Sequence, residues 1–167
     1  YSWDRDALWN RLSDGTIDCI ATDHAPHTLE NKALGFPKAH SGMPGVETSL
    51  PVMLTHAADG KCSIPDVVRW MCEGPSRVYG IQGKGRLQEG MDADLVLVDM
   101  ESSRTISDAD TWTRVGWTAY AGISLTGWPV CTVVDGTIVH SRTAGGPNSG
   151  EILVEPGWVG RARRFAC

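Results

Sequence analysis

Ile17-Asp18-Cys19-Ile20-Ala21-Thr22-Asp23-His24-Ala25-Pro26-His27 is the stretch on which the reading of this chain turns. Residues 17–22 are too few for a helix and nearly all apolar apart from Asp18, as in a parallel strand covered on both faces. The apolar run stops abruptly at Asp23, His24 and His27, side chains able to bind a metal or move a proton. An Asp at the carboxyl mouth of a strand is where an α/β barrel keeps its chemistry, so the predicted order is strand, then reactive loop.

Helical patterns surround that strand. Residues 4–12 place Leu8, Trp9 and Leu12 on one face, with Asp4 and Asp6 in the first turn where the helix dipole favours acids, and Gly15 stops the helix. Residues 28–45 have little periodicity but much Gly, Pro, Lys and His, the composition of a long functional loop. Val46, Leu50, Met53, Leu54 and Ala57 then recur at helical spacing up to Gly60. Ser63, Pro65 and Asp66 read as a cap and first turn with Val67, Val68 and Met71 buried, and Gly74-Pro75 is expected to break the chain before a last short helix through Val78.

The chain changes character at Gly83-Lys84-Gly85, which divides residues 1–82 from residues 83–167. Residues 93–99 read as a strand. Residues 128–134 and 137–140 read as a hairpin about the two-residue turn Asp135-Gly136. Residues 144–150 are Gly-rich enough for a flexible connection, and there is no internal repeat.

Composition narrows the function. With 167 residues, 41% of them apolar and 21% charged, the chain has a globular composition. No apolar stretch reaches the ~20 residues needed to cross a bilayer, and the first residues, Tyr1-Ser2-Trp3-Asp4-Arg5, resemble neither a signal peptide nor a natural start, so a piece of a longer protein is expected. A net charge of −5 argues against a nucleic-acid surface; the one basic cluster, Arg161, Arg163 and Arg164, reads as a solvated tail. Five widely spaced cysteines without a C-x-x-C pair fit a reduced, cytoplasmic protein with buried thiols.

Three motifs together carry a family resemblance: Ala21-Thr22-Asp23-His24-Ala25-Pro26-His27, Ser41-Gly42-Met43-Pro44-Gly45-Val46-Glu47-Thr48, and Lys84-Gly85-Arg86-Leu87-Gln88-Glu89-Gly90-Met91-Asp92-Ala93-Asp94-Leu95. In register over residues 4–140, the chain resembles the dihydroorotases of the amidohydrolase superfamily. Hydantoinases and allantoinases share parts of these motifs but usually lack the second histidine, here His27, and the Pro44-Gly45-Val46-Glu47-Thr48 stretch. The resemblance implies an α/β fold: the C-terminal portion of a (β/α)8 metal-dependent hydrolase barrel in residues 1–82, followed by a small β-sandwich-like composite domain in residues 83–167. It implies one or two zinc ions in the complete enzyme and reversible hydrolysis of L-dihydroorotate to N-carbamoyl-L-aspartate in pyrimidine biosynthesis. Asp23 matches the position that ligates metal and shuttles a proton, His27 the substrate-binding histidine, and Ser41 and Gly42 the loop whose backbone meets the pyrimidine ring. Chemistry supports the first assignment, since opening a cyclic amide needs both an activated water and a proton on the departing nitrogen.

Plainer roles stand beside these. Asp23 could cap a turn, and His24 reads as a structural histidine bonding the loop. His27 could be a surface loop residue. His40, His56 and His140 have no matching role, Lys32 and Lys38 read as solvated charges, and Trp112, Trp117 and Trp128 read as packing residues of the β half. The family's remaining metal ligands and substrate-binding arginines are not in this sequence, and Asp23 alone cannot assemble a site that needs three or more protein ligands. The expectation is therefore a fragment, inactive alone, that associates with the missing barrel portion or with itself. The alternatives are a hydantoinase or allantoinase, or a non-catalytic assembly module of the kind found beside aspartate transcarbamoylase.

Overall fold

The helical period of residues 4–12 becomes helix α1 (Ser2–Ser13). The computed structural model describes residues 2–142 and 150–152. The Gly-rich connection before Gly150, the tail arginines and Cys167 lie outside them. Helix α1 is anchored through Trp9, which meets the ring of Trp70 edge-on at 6.1 Å, and through the Leu12 carbonyl, which accepts from Trp70 Nε1–H at 3.2 Å. Short helix α2 (Leu29–Lys32) is capped by Thr28, whose hydroxyl accepts from Asn31 N–H. Helix α3 (Ser49–Ala58) buries Pro51, Met53 and Leu54.

Ser63 and Asp66 form the reciprocal capping box at the start of α4 (Ile64–Val68). No break follows. Residues Arg69–Glu73 form a π-helical turn that runs straight into α5 (Gly74–Val78), with Gly74 N–H donating five residues back to Arg69 O. Pro75 has no amide proton and its ring strikes the carbonyl four residues earlier in an ordinary helix; widening the preceding turn removes both conflicts, so the expected break becomes a bulge. Val67 is buried as expected. Val68 is instead exposed and Met71 half-buried, because both line an open apolar groove against the first strand.

The β half is one antiparallel sheet in the order β1 (Leu95–Thr105), β2 (Ser124–Val134), β3 (Thr137–Arg142), β4 (Gly150–Ile152). Asp135 and Gly136 both take left-handed backbone angles (φ 50° and 78°), the requirement of the tight turn read between β2 and β3. Pro129, which has no N–H for the ladder, sits where the β1–β2 register shifts. Sheet and helices share one core: Met53, Leu54, Val67 and Trp70 are buried, with Val98 and Met100 of β1 packed against them. Each buried large side chain contributes about 2 kcal/mol. Thr55 on α3 fastens the layers, its hydroxyl donating to Pro51 O and accepting from Thr126 N–H of β2 at 2.8 Å.

Residues 17–22, expected as a strand, form none. Among the described residues no strand lies alongside to complete a ladder, and the segment is tied instead by Ile17 N–H to Arg11 O at 2.9 Å and Ile20 N–H to Trp70 O at 3.0 Å. It passes so close to the π-helical turn that a Cβ on Gly74 would lie 2.3 Å from Asp18 O. Among the described cysteines, Cys19, Cys62 and Cys131 are half-buried and Cys72 is exposed, all unpaired, so the expectation of buried thiols is not met. Among the described residues no helix is long and apolar enough to cross a membrane.

The Gly74 contact makes a prediction. Gly74→Ala is expected to destabilise the protein by about 2 kcal/mol or more, because backbone on both sides must shift. Gly60→Ala, at φ 76° but with open space around it, should cost about 1 kcal/mol from backbone conformation alone. Denaturant unfolding of both variants checks this, and equal losses would mean that the 17–22 segment moves aside freely.

Candidate active site

Asp23 ends the 17–22 segment in the left-handed region, φ 44°, a conformation that Asp tolerates better than most residues. The turn sends the chain past the 40–45 loop. There His24 pairs with Met43 in a parallel bridge, and Ala25 N–H donates to Met43 O at 3.1 Å. The two strips touch at Gly42, whose φ is 99°; a Cβ there would lie 2.8 Å from both Ala25 Cβ and Ala25 O. Only glycine permits that approach.

His24 locks the contact, as the sequence suggested. Its Nδ1 accepts from Gly45 N–H at 3.1 Å and Val46 N–H at 3.2 Å, so the proton of the neutral ring sits on Nε2. Two residues beyond Ala25, the half-buried His27 ring meets His40 edge-on, centroids 4.9 Å apart. The structure thus brings Asp23, His27, Ser41 and Gly42 onto two adjoining strips. Asp23, Ser41 and Gly42 are exposed.

Two residues read as bystanders belong to this arrangement. Lys32 is not a free solvated charge: its Nζ donates to His40 O at 2.7 Å and to Gly42 O, and lies 5.8 Å from the Trp117 ring centroid. Trp117, half-buried in the segment between the first two strands, does more than pack: it donates its indole N–H to His27 O at 2.7 Å. Trp112, 57% exposed, donates its backbone N–H to Glu47 Oε2 at 2.8 Å. Nothing in the sequence signals these ties, which join positions up to 90 residues apart. Trp128 does pack on the sheet, under the Arg104 guanidinium at 4.0 Å, and Lys38 is exposed as read. His56 lies on α3 against Trp9, where burial and then the Lys61 charge push its pKa down. His140 pairs within the sheet, opposite Thr132 and Ile152.

Behind the loop the packing is tight. His24, Gly45, Thr48 and Trp117 help line a cavity of only about 10 Å3, far too small for a substrate. Among the described residues no three His, Cys, Asp or Glu side chains come together as a metal site. A zinc ion needs three or more protein ligands, so these residues alone do not fit one; Asp23 offers a single carboxylate.

The sequence matches the amidohydrolase family over residues 2–139, and the chain belongs to that family. It is 44% identical over 135 residues to a dihydroorotase of Halobacterium salinarum, covering 81% of this chain and 32% of that protein. It is 44% identical over 141 residues to a dihydroorotase of Geobacillus kaustophilus, covering 83% of this chain and 32% of the relative. Among solved structures, it superposes on the L-hydantoinase of Arthrobacter aurescens with a TM-score of 0.78 and 38% identity, covering 89% of this chain and 32% of that one. A D-hydantoinase from Thermus sp. gives a TM-score of 0.81 at 27% identity, covering 92% and 33%. The chain therefore spans about a third of the length of the curated relatives it matches.

His24→Ala should release the loop. Loss of the Nδ1 acceptor removes two hydrogen bonds of about 1 kcal/mol each, and amide exchange at Gly45 and Val46 is expected to speed up by about tenfold or more. Unchanged protection at both amides would show that the His24–Met43 bridge holds the loop without the ring.

Proposed function

We propose that this chain is the part of a dihydroorotase that carries Asp23 and the substrate loop, in a complete protein that hydrolyses L-dihydroorotate to N-carbamoyl-L-aspartate and reverses the reaction. The observation that carries this reading is the pairing of the Asp23–His27 strip with the Ser41–Gly42 strip, set beside the dihydroorotase relatives. Hydrolysis adds the oxygen of water to the ring carbonyl carbon, breaks the carbon–nitrogen bond and leaves a proton on the departing nitrogen. Asp23 takes the water's proton on a carboxylate oxygen and returns it to that nitrogen. His27 meets the substrate's carboxylate or ring oxygens, and the backbone of Ser41 and Gly42 meets the ring.

A metal, zinc in our reading, would supply an activated water at neutral pH. Asp23 is this chain's one contribution to its coordination, the other ligands coming from protein outside these residues. We propose that residues 1–82 belong to the barrel and residues 83–167 to a composite β domain. Partner protein is also called for by the surface: α3, α4 and β1 leave an apolar groove of about 460 Å3, on whose edge Ile64, Val68 and Val96 stand 46%, 47% and 45% exposed. Such a face gains by being covered, by the rest of the barrel or by a second copy, and with Asp23 as its one metal ligand the chain alone is inactive. The unpaired cysteines favour the cytoplasm. Association with aspartate transcarbamoylase is the variant of this reading in which the chain serves assembly.

A hydantoinase is the second reading, favoured by the similarity to the L-hydantoinase structure. Substrate competition among L-dihydroorotate, hydantoin and allantoin in the complete protein separates the two. In that protein Asp23→Ala is expected to lower kcat by about 1,000-fold, the scale of losing a positioned general acid–base. His27→Ala should raise KM for L-dihydroorotate by about tenfold with kcat little changed, as for a lost charged hydrogen bond. Normal turnover by the Asp23 variant would sink the assignment.

A further inference from the structure

We infer that Lys32 and Trp117 are positioning residues: Lys32 gathers the carbonyls of His40 and Gly42, and Trp117 holds the His27 backbone, so that this surface can receive an anionic substrate. The inference rests on the proposed site and goes beyond it, since neither residue belongs to the motifs that carry the resemblance.

The argument begins with backbone polarity. A loop meant to receive a carboxylate must not aim carbonyl oxygens at it. Here the oxygens of His40 and Gly42, on either side of Ser41, both accept from one ammonium group, Lys32 Nζ. A lysine has three such protons and no acceptor, so one side chain can gather both carbonyls to a single point. Among the described residues nothing accepts from the Ser41 or Gly42 N–H groups. With the His40 and Gly42 carbonyls gathered and the Ser41 and Gly42 N–H groups left open, the strip offers donors, and the ammonium adds a positive charge beside them.

Trp117 supplies the second tie. It stands in the segment between β1 and β2, and its one indole does two things: Nε1–H donates to His27 O at 2.7 Å, and the ring faces Lys32 Nζ at 5.8 Å from its centroid. A cation over an aromatic ring is held by the ring's electron density. The same indole thus fixes the backbone of His27 and the position of the ammonium that fixes the loop. Glu47, accepting from Trp112 N–H at 2.8 Å, fastens the same β-half segment to the far end of the loop. Lys32 is itself placed by α2, whose Thr28 cap follows His27 directly.

The test uses the complete protein carrying Lys32→Met, Trp117→Phe, both together, or Lys32→Arg. Amide exchange at Ala25, Ala39 and Gly45, the hydrogen-bonded amides of the two strips, and the kinetics of L-dihydroorotate hydrolysis are measured for each. Faster loop exchange is expected in both single variants, with KM raised about tenfold and kcat within about threefold. The double variant should lose about as much as the two singles together, because Phe keeps a ring beside the ammonium and removes only the tie to His27, and Lys32→Arg, which keeps charge and donors, should recover part of the loss. Should Lys32→Met not fold, Trp117→Phe still decides, since it removes one N–H and keeps the ring. Unchanged loop exchange overturns the positioning role whatever the substrate, and faster exchange with unchanged KM overturns its link to binding. Failure of the unsubstituted protein to hydrolyse L-dihydroorotate strikes the functional reading alone, leaving loop exchange to decide the roles of Lys32 and Trp117.

Discussion

The segment from Ile17 to His27 has no strand beside it among the described residues, so the placement of Asp23 depends on a few backbone bonds and on close contacts at its two ends. At one end Asp18 lies against Gly74, where a Cβ would stand 2.3 Å from the Asp18 oxygen. At the other Ala25 lies against Gly42, with the same kind of intrusion at 2.8 Å. Between them the chain turns through the left-handed Asp23, and His24 binds two backbone N–H groups. A strand in a sheet is held by a ladder of bonds spread along its length. Here the same job falls to two glycine contacts, one imidazole and the backbone bonds of Ile17, Ile20 and Ala25, which concentrates the constraint on a few residues.

The π-helical turn at Arg69–Glu73 and the site are parts of one arrangement. Pro75 forces the widened turn, the widened turn brings Gly74 and the Trp70 carbonyl to the 17–22 segment, and Ile20 N–H bonds that carbonyl. Trp70 at the same time buries its ring in the core formed with Met53, Leu54 and Val67. Stability of the core and placement of Asp23 therefore share a residue. On the opposite side the β half reaches into the site through Trp117 and Trp112, so the loop that carries Ser41 and Gly42 is held from both halves of the chain.

Local physics was legible from the sequence. The Ser63 cap and the Asp135-Gly136 turn follow from which groups can satisfy neighbouring backbone, and each stands where the pattern put it; the α3 stripe holds from Leu50 on, while Val46 lies before the helix and is exposed. Membership of the amidohydrolase family was equally legible, because the motifs around Asp23, Gly42 and Asp94 are continuous runs of residues. His24 as a loop-bonding histidine also followed from its place beside Asp23.

Where a partner is distant in sequence, only tertiary structure decided the outcome. Residues 17–22 have a strand's composition, yet a strand exists only with a neighbour, and apolar composition does not supply one. Gly74-Pro75 looks like a break, yet packing against Asp18 and the core favours a bulge that keeps the helix running. Lys32 looks like a solvated charge, yet two carbonyls and an indole folded around it make it the centre of the loop. The sequence alone determined the local elements and the motifs that place the chain in its family, because those depend on neighbours along the chain. Which of their residues meet, and what holds them there, was decided by contacts across tens of residues.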